Sequence, residues 1–205
     1  MKNSGLTEKH MLNRHFRKTE HIILIAYYRL RDYPSAKKLA KLAKISRSTL
    51  YRHHHNIWKI PDDYETYLLV IYQRVINPYI LKKDFSFKGY YFRTLIFISN
   101  HKEAFFLLFI EGHKDIVKKM LDALKPRISA IYHISGRNLD KIYSIYSNEI
   151  LGLIENWGRQ RFTLSMLNEI LNDAIILTED ITNHLVLSLR IGGTTTVNQA
   201  DPGKF

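Results

Sequence analysis

The stretch LAKLAKISRSTLYRHHHN, Leu39 to Asn56, places two short runs of apolar residues on either side of a tight turn and ends in three consecutive histidines. Leu39, Ala40, Ala43, Ile45 and Leu50 have the spacing that seats one helix across another, with the small Ala40 permitting close approach. Between the runs, AKIS from Ala43 to Ser46 leaves room for a turn and nothing longer. Ser35 is placed to cap the first helix, which runs to about Ala43, and Ser46 to cap the second, which runs to about His55. This is helix-turn-helix spacing. It leaves Arg47, Ser48, Thr49, Arg52 and His53 free on the second helix, whose N-terminal half can enter a major groove. There an arginine can bind guanine O6 and N7 together, and serine or threonine can serve bases or phosphates.

Outward from this motif, the apolar spacing predicts helices and no strands. A helix from about Arg14 to Arg31 carries Ile22, Ile23, Leu24, Ala26, Tyr27 and Leu30 on one broad face, and DYPS at residues 32–35 breaks it. Pro61, followed by Asp62 and Asp63, starts a helix that reaches Ile80. NHKE, Asn100 to Glu103, has the form of a capping box before AFFLLFIEG, with Gly112 as the stop. A segment from His113 to about Ile134 carries Pro126, which kinks or splits it. Asn138 and Thr163 are placed as caps of two long helices, about Leu139 to Gln160 and Leu164 to Leu189. The expected architecture is all-α: a helix-turn-helix domain over residues 1–60, a helical effector-binding and dimerisation domain over 61–190, and a flexible tail over 191–205.

Charge separates the same two regions. Of the net +12, residues 1–60 hold +11, from 14 Lys and Arg against 3 Asp and Glu, and the remaining residues hold +1. Because these cations alternate with apolar residues at helical spacing, they describe a folded basic surface and not a basic tail. The absence of Cys excludes disulfides, thiolate metal sites and a thiol nucleophile. The longest apolar run, Ala104 to Ile110, is too short to cross a bilayer, and the charged N-terminus lacks a signal-peptide core; a soluble cytoplasmic protein is expected.

The three histidines do not read as a metal site from within their helix. Two ligands on one helix need to be three or four residues apart, whereas His53, His54 and His55 fan out by about 100° each. No His, Asp or Glu partner stands at the required spacing in that helix, although ligands brought together by the fold stay open.

The residues AKISRSTLYRHHHN resemble the DNA-binding segment of the TetR (tetracycline-repressor-like) family of bacterial transcriptional regulators. That segment has the form A-G-[VI]-S-x-x-T-[LF]-Y-x-[HY]-F-x-[ND]-K, and Ile45, Ser46, Thr49, Leu50, Tyr51, His53 and Asn56 match it. The layout is similar too, in its basic N-terminal bundle, linking helix and all-α remainder, and NHKEAFFLLFIEG and EILGLIENWGRQRFTLSMLNEIL resemble parts of the family's second domain. The resemblance spans about Arg14 to Leu189. It implies that Arg47, Ser48 and Arg52 read bases, that Ser35, Thr49, Tyr51, His53 and Lys59 lie at or near phosphates, with Lys44 and Ser46 in the same interface, and that Leu50 is the buried anchor. Three departures stand out: Lys44 replaces the family's turn glycine, His54 replaces its phenylalanine, and IWKIPDD is a longer link. In the left-handed conformation Lys44 costs roughly 1 kcal/mol relative to glycine.

In the second domain, Phe92, Phe97, Phe105 and Phe109, with His101 and His113 (and Glu111) as polar handles, are candidates to line a pocket for an apolar or aromatic effector; as core residues they need no ligand. Ile142, Ile145, Tyr146, Ile150, Leu153 and Ile154 form one apolar stripe; Ile170, Leu171, Ala174, Ile175, Leu177, Ile181 and Leu185 form another. In the family two such helices make a homodimer interface, and a two-fold dimer on double-stranded DNA implies a palindromic operator. The alternative is that the chain's own core consumes both stripes. No phosphate loop, nucleophile elbow, metal-binding helix pair or glycine-rich dinucleotide turn is present, so no catalysis, metal or cofactor is expected. The reading is therefore a homodimeric, effector-released repressor, with a non-specific architectural DNA-binding protein as the rival that charge alone would produce.

Overall fold

The computed structural model describes residues 13–30, 34–110 and 112–192, with the backbone alone at 182 and 184–192. Among the described residues every regular element is helical. They are α1 (Arg14–Arg29), α2 (Ala36–Leu42), α3 (Arg47–His53), α4 (Ile60–Ile80), α5 (Phe87–Asn100), α6 (Lys102–Ile110), α7 (Asp115–Leu121), α8 (Lys125–Tyr132), α9 (Gly136–Arg159) and α10 (Leu167–Gly192). No helix among these residues is long and apolar enough to cross a membrane.

α1 packs on α2, α4 and α6, α2 packs on α3, and α4 runs on to pack against α5 and α7. α9 and α10 lie against each other, and α10 also covers α5. One continuous apolar core joins the three N-terminal helices to the rest, passing through Ile60, Tyr64, Tyr67 and Leu68 of α4.

Several local signals act as the sequence predicts. Ser35 Oγ accepts the Lys38 amide and Ser46 Oγ the Thr49 amide, each satisfying a first-turn donor that the helix leaves open. Pro61 lies in the first turn of α4. Pro126 splits the 113–134 segment into α7 and α8, with a short 3-10 turn between them. Gly112, at φ +88°, gives its amide to Phe109 while His113 bonds Leu108, which closes α6.

Other boundaries differ. Asn100 is the last residue of α5 and not a cap, because His101 stands between α5 and α6. Asn138 lies inside α9, whose N-cap is Ser135. Thr163 precedes a 3-10 turn, so α10 starts only at Leu167 and runs through Gly192, two residues into the expected tail. Residues 193–205, Arg31 to Tyr33 and Glu111 lie outside the described residues.

The two long stripes are largely consumed by the chain itself: Ile142, Tyr146, Ile150 and Ile154 of α9 and Ile170, Leu171 and Ala174 of α10 are buried. Ile145 and Ile176 stay exposed on these helices. Leu185 lies where only the backbone is described.

Candidate nucleic-acid interface

The turn between α2 and α3 is built on Lys44. After α2 the Ile45 amide reaches back to Ala40 O (3.0 Å) and the Lys44 amide to Lys41 O (3.2 Å), the paired bonds that end a helix through a left-handed residue. Lys44 is that residue, at φ +54°, where glycine carries no Cβ penalty. The strain is compensated by Ile45, which packs against the core, and by Leu39, Ala40, Ala43 and Leu50, all buried between α2 and α3. Leu50 is fully buried, so the opposite face of α3 is turned outward.

Arg47, Ser48, Tyr51 and Arg52 of α3 are exposed, and so are Ser35, Lys44, Ser46 and Lys59 in the segments before and after it. Thr49 is half-buried, its Oγ1 2.8 Å from Ser46 Oγ and 3.3 Å from Arg52 Nη2. Lys37, Lys38 and Lys41 continue the positive surface along α2. Among the described residues no carboxylate pairs with any of these arginines and lysines.

His53 is placed differently from the expectation. Its ring stacks on Phe16 of α1 at 4.6 Å, Nδ1 lies 2.6 Å from Glu20 Oε1, and its side chain is 10% exposed, so it faces α1 and not the outer surface. His54, in the position where the resembled family has phenylalanine, is buried between two carboxylates. Nδ1 donates to Asp63 Oδ2 on α4 (2.9 Å), and Nε2 lies 3.0 Å from Glu20 Oε2, an ion-pair distance off the line of a good hydrogen bond. Burial alone would lower the His54 pKa, but the bond to Asp63 and the adjacent Glu20 carboxylate outweigh it and raise it to about 9, so the ring is an imidazolium at neutral pH. Burial would likewise raise the pKa of Glu20, yet His53 and His54 hold that carboxyl below its ordinary value. Glu20 and Asp63 thus tie the end of α3 to α1 and α4 through charge, where the sequence pattern suggests an aromatic plug. His55 is exposed beyond the end of α3. Among the described residues, no three His, Asp or Glu side chains converge as a metal ion would require.

Of the effector candidates, Phe97, His101, Phe105 and Phe109 lie together, with the His101 ring 4.7 Å from that of Phe97, and Phe92 and His113 lie apart. Phe97, Phe105 and Phe109 belong to a packed aromatic cluster completed by Trp157 and Phe162, with neighbouring rings at 5.2–6.4 Å. A Cβ added at Gly158 would meet Phe162 at 3.0 Å and Phe109 at 3.2 Å, a measure of how tightly that cluster is closed. Phe92 is 45% exposed. His113 lies 3.2 Å from Glu65 Oε2 on α4, and Lys119 bonds the other oxygen of the same carboxylate. Two buried hydrogen-bonded sets, Tyr72 with Tyr90 and Thr94 and Tyr91 with Tyr146 and Thr178, lie in the second bundle, with the Tyr90 and Tyr91 rings in edge contact. Of the six candidates, His101 lines an open cleft, a space of about 430 Å³ between α1, α4 and the junction of α5 with α6.

No family model, curated protein or solved structure matches the chain.

Proposed function

We propose that the protein is a sequence-specific DNA-binding transcriptional regulator, not an enzyme, acting as a homodimeric repressor on a palindromic operator and released by a small-molecule effector. The observation that carries this reading is the α2–turn–α3 unit: two capped seven-residue helices, joined through a left-handed residue and locked by a fully buried Leu50, leave Arg47, Ser48, Tyr51 and Arg52 exposed, with no pairing carboxylate among the described residues. A recognition helix needs this combination, because its inner side must be fixed for its outer side to read bases. Support for the TetR likeness rests on the matching residues between Ile45 and Asn56. The homodimer draws on the exposed Ile145 and Ile176 of α9 and α10 as the apolar contacts left for a partner copy.

Selection of bound genomic fragments at near-physiological salt, followed by sequencing, tests the proposal. A short palindrome recovered upstream of a few genes is the expected result, and Arg47→Ala should then cost about 1–3 kcal/mol on the best site while relaxing one base position. Salt-labile binding with no enriched sequence would instead identify a non-specific architectural protein, whose affinity comes from the +11 of the first sixty residues alone.

A further inference from the structure

The cleft between the N-terminal helices and the second bundle has walls of unusual charge. Arg14, Arg17 and Lys18 enter it from α1, and with His21 they stand at positions i, i+3, i+4 and i+7, one face of that helix. Lys102 faces them from the first turn of α6, whose positive dipole end lies on the same wall. One carboxylate, Glu103, lines the space, and it lies 3.2 Å from His21 Nε2. Among the described residues, none of the four permanent cations has an ion-pair partner. Like charges three and four apart on a helix repel, so this face of α1 costs stability unless something neutralises it.

We propose that this cleft is a binding site for a small anion carrying two or more carboxylate or phosphate groups. Arg14 and Arg17 supply planar forks that match either group, and Lys18 and Lys102 add point charges from opposite walls. His101 lies between them; burial, with His21 and Arg17 nearby, lowers its pKa to about 4, so at neutral pH it offers one donor and one acceptor and no further charge. Tyr64 and Tyr67 form the inner wall. A volume of about 430 Å³ suits a metabolite-sized ligand. The site stands without the DNA reading. If that reading also holds, the cleft is placed to act on it, because the helix that carries its cations holds α3 through Glu20.

Calorimetric titration of the full chain with citrate and with pyrophosphate, against chloride at equal ionic strength, provides the test. Saturable one-site binding of at least one probe is expected. Arg17→Ala on one wall and Lys102→Gln on the other should each weaken it about tenfold or more, with unchanged circular dichroism, and the distant Lys83→Ala should leave it intact. No heat with either probe, or equal weakening by Lys83→Ala, would overturn the proposal. A parallel titration with a short random-sequence duplex separates the two sources of phosphate. If Arg17→Ala reduces duplex affinity as much as probe affinity, the cations serve the DNA backbone and the small-ligand site is rejected; a duplex affinity that changes much less supports it.

Discussion

Both halves of the molecule bury polar groups, and they do so by opposite means. Under α3 the buried set is ionic: Glu20 and His54 are 3% and 2% exposed, with Asp63 at the edge. At the centre of the second bundle the set is neutral: Tyr72 bonds Tyr90 and Thr94, and Tyr91 bonds Tyr146 and Thr178 (2.5 Å). Burial pushes Tyr72 up to about 12 and the pKa values of Tyr90, Tyr91 and Tyr146 well above the ordinary range, so these tyrosines keep their protons at physiological pH. An ionic set is sensitive to pH and severe when halved; a neutral set is indifferent to pH and costs less per missing member.

The largest expected effect is therefore His54→Ala, which strips Glu20 of one partner and opens a void; a loss of about 3–5 kcal/mol in urea unfolding is expected. The double variant Glu20→Leu with His54→Phe should recover most of it, since apolar residues of similar volume replace a buried ion pair at little cost. A double variant as unstable as the single one would erase the contrast between the regions.

Next comes pH. His54 has a folded-state pKa of about 9 against 6.5 unfolded, so its stabilisation is complete below about 6.5 and fades as pH rises through 9. Glu20, held below its ordinary 4.5, gives stabilisation that is present above 4.5 and lost as pH falls through its folded value. Stability should thus level off between these limits and drop by up to about 3 kcal/mol on the alkaline side, a slope the double variant lacks.

Tyr91→Phe tests the neutral side: it leaves Tyr146 and Thr178 each one partner short, for a loss of about 2 kcal/mol that does not vary between pH 6 and 9. A slope appearing there would mean that the second core is not neutral. Smallest is Lys44→Gly, expected to stabilise by about 1 kcal/mol because it relieves the left-handed lysine, read as a shift in the urea midpoint.

These effects divide along what local sequence can express. Ser35, Ser46, Pro61 and Pro126 act within a turn of their own position, and their roles were readable for that reason. Asn100 and Asn138 are equally good capping residues, but α5 runs on through Asn100 and α9 has already begun at Gly136, after Ser135, when it reaches Asn138. α5 received no bounds from sequence, although Ser86 caps it by accepting the Gly89 amide. Lys44 showed its strain because a motif position marked it. His54 was recognisable as a substitution, whereas its partners were not, since Glu20 and Asp63 come from two other helices. A signal did exist: Glu20 stands three and four residues before Ile23 and Leu24, on the stripe that α1 buries. The cleft stayed hidden because Arg14, Arg17 and Lys18 count toward a basic domain until the fold turns them toward Lys102.

α4 enters both polar sets, with Asp63 in its first turn and Tyr72 further along. Near its far end Pro78 sits inside the helix and has no N–H to give, which makes this the point where α4 bends most easily. Roughly 22 Å of helix separates Pro78 from Asp63. A tilt of about 10° at the proline therefore swings Asp63 through roughly 4 Å. That arc is longer than the 2.9 Å bond holding His54, and the same tilt pulls Tyr72 against its bonds to Tyr90 and Thr94, so α4 must keep its line for both polar sets to stay closed.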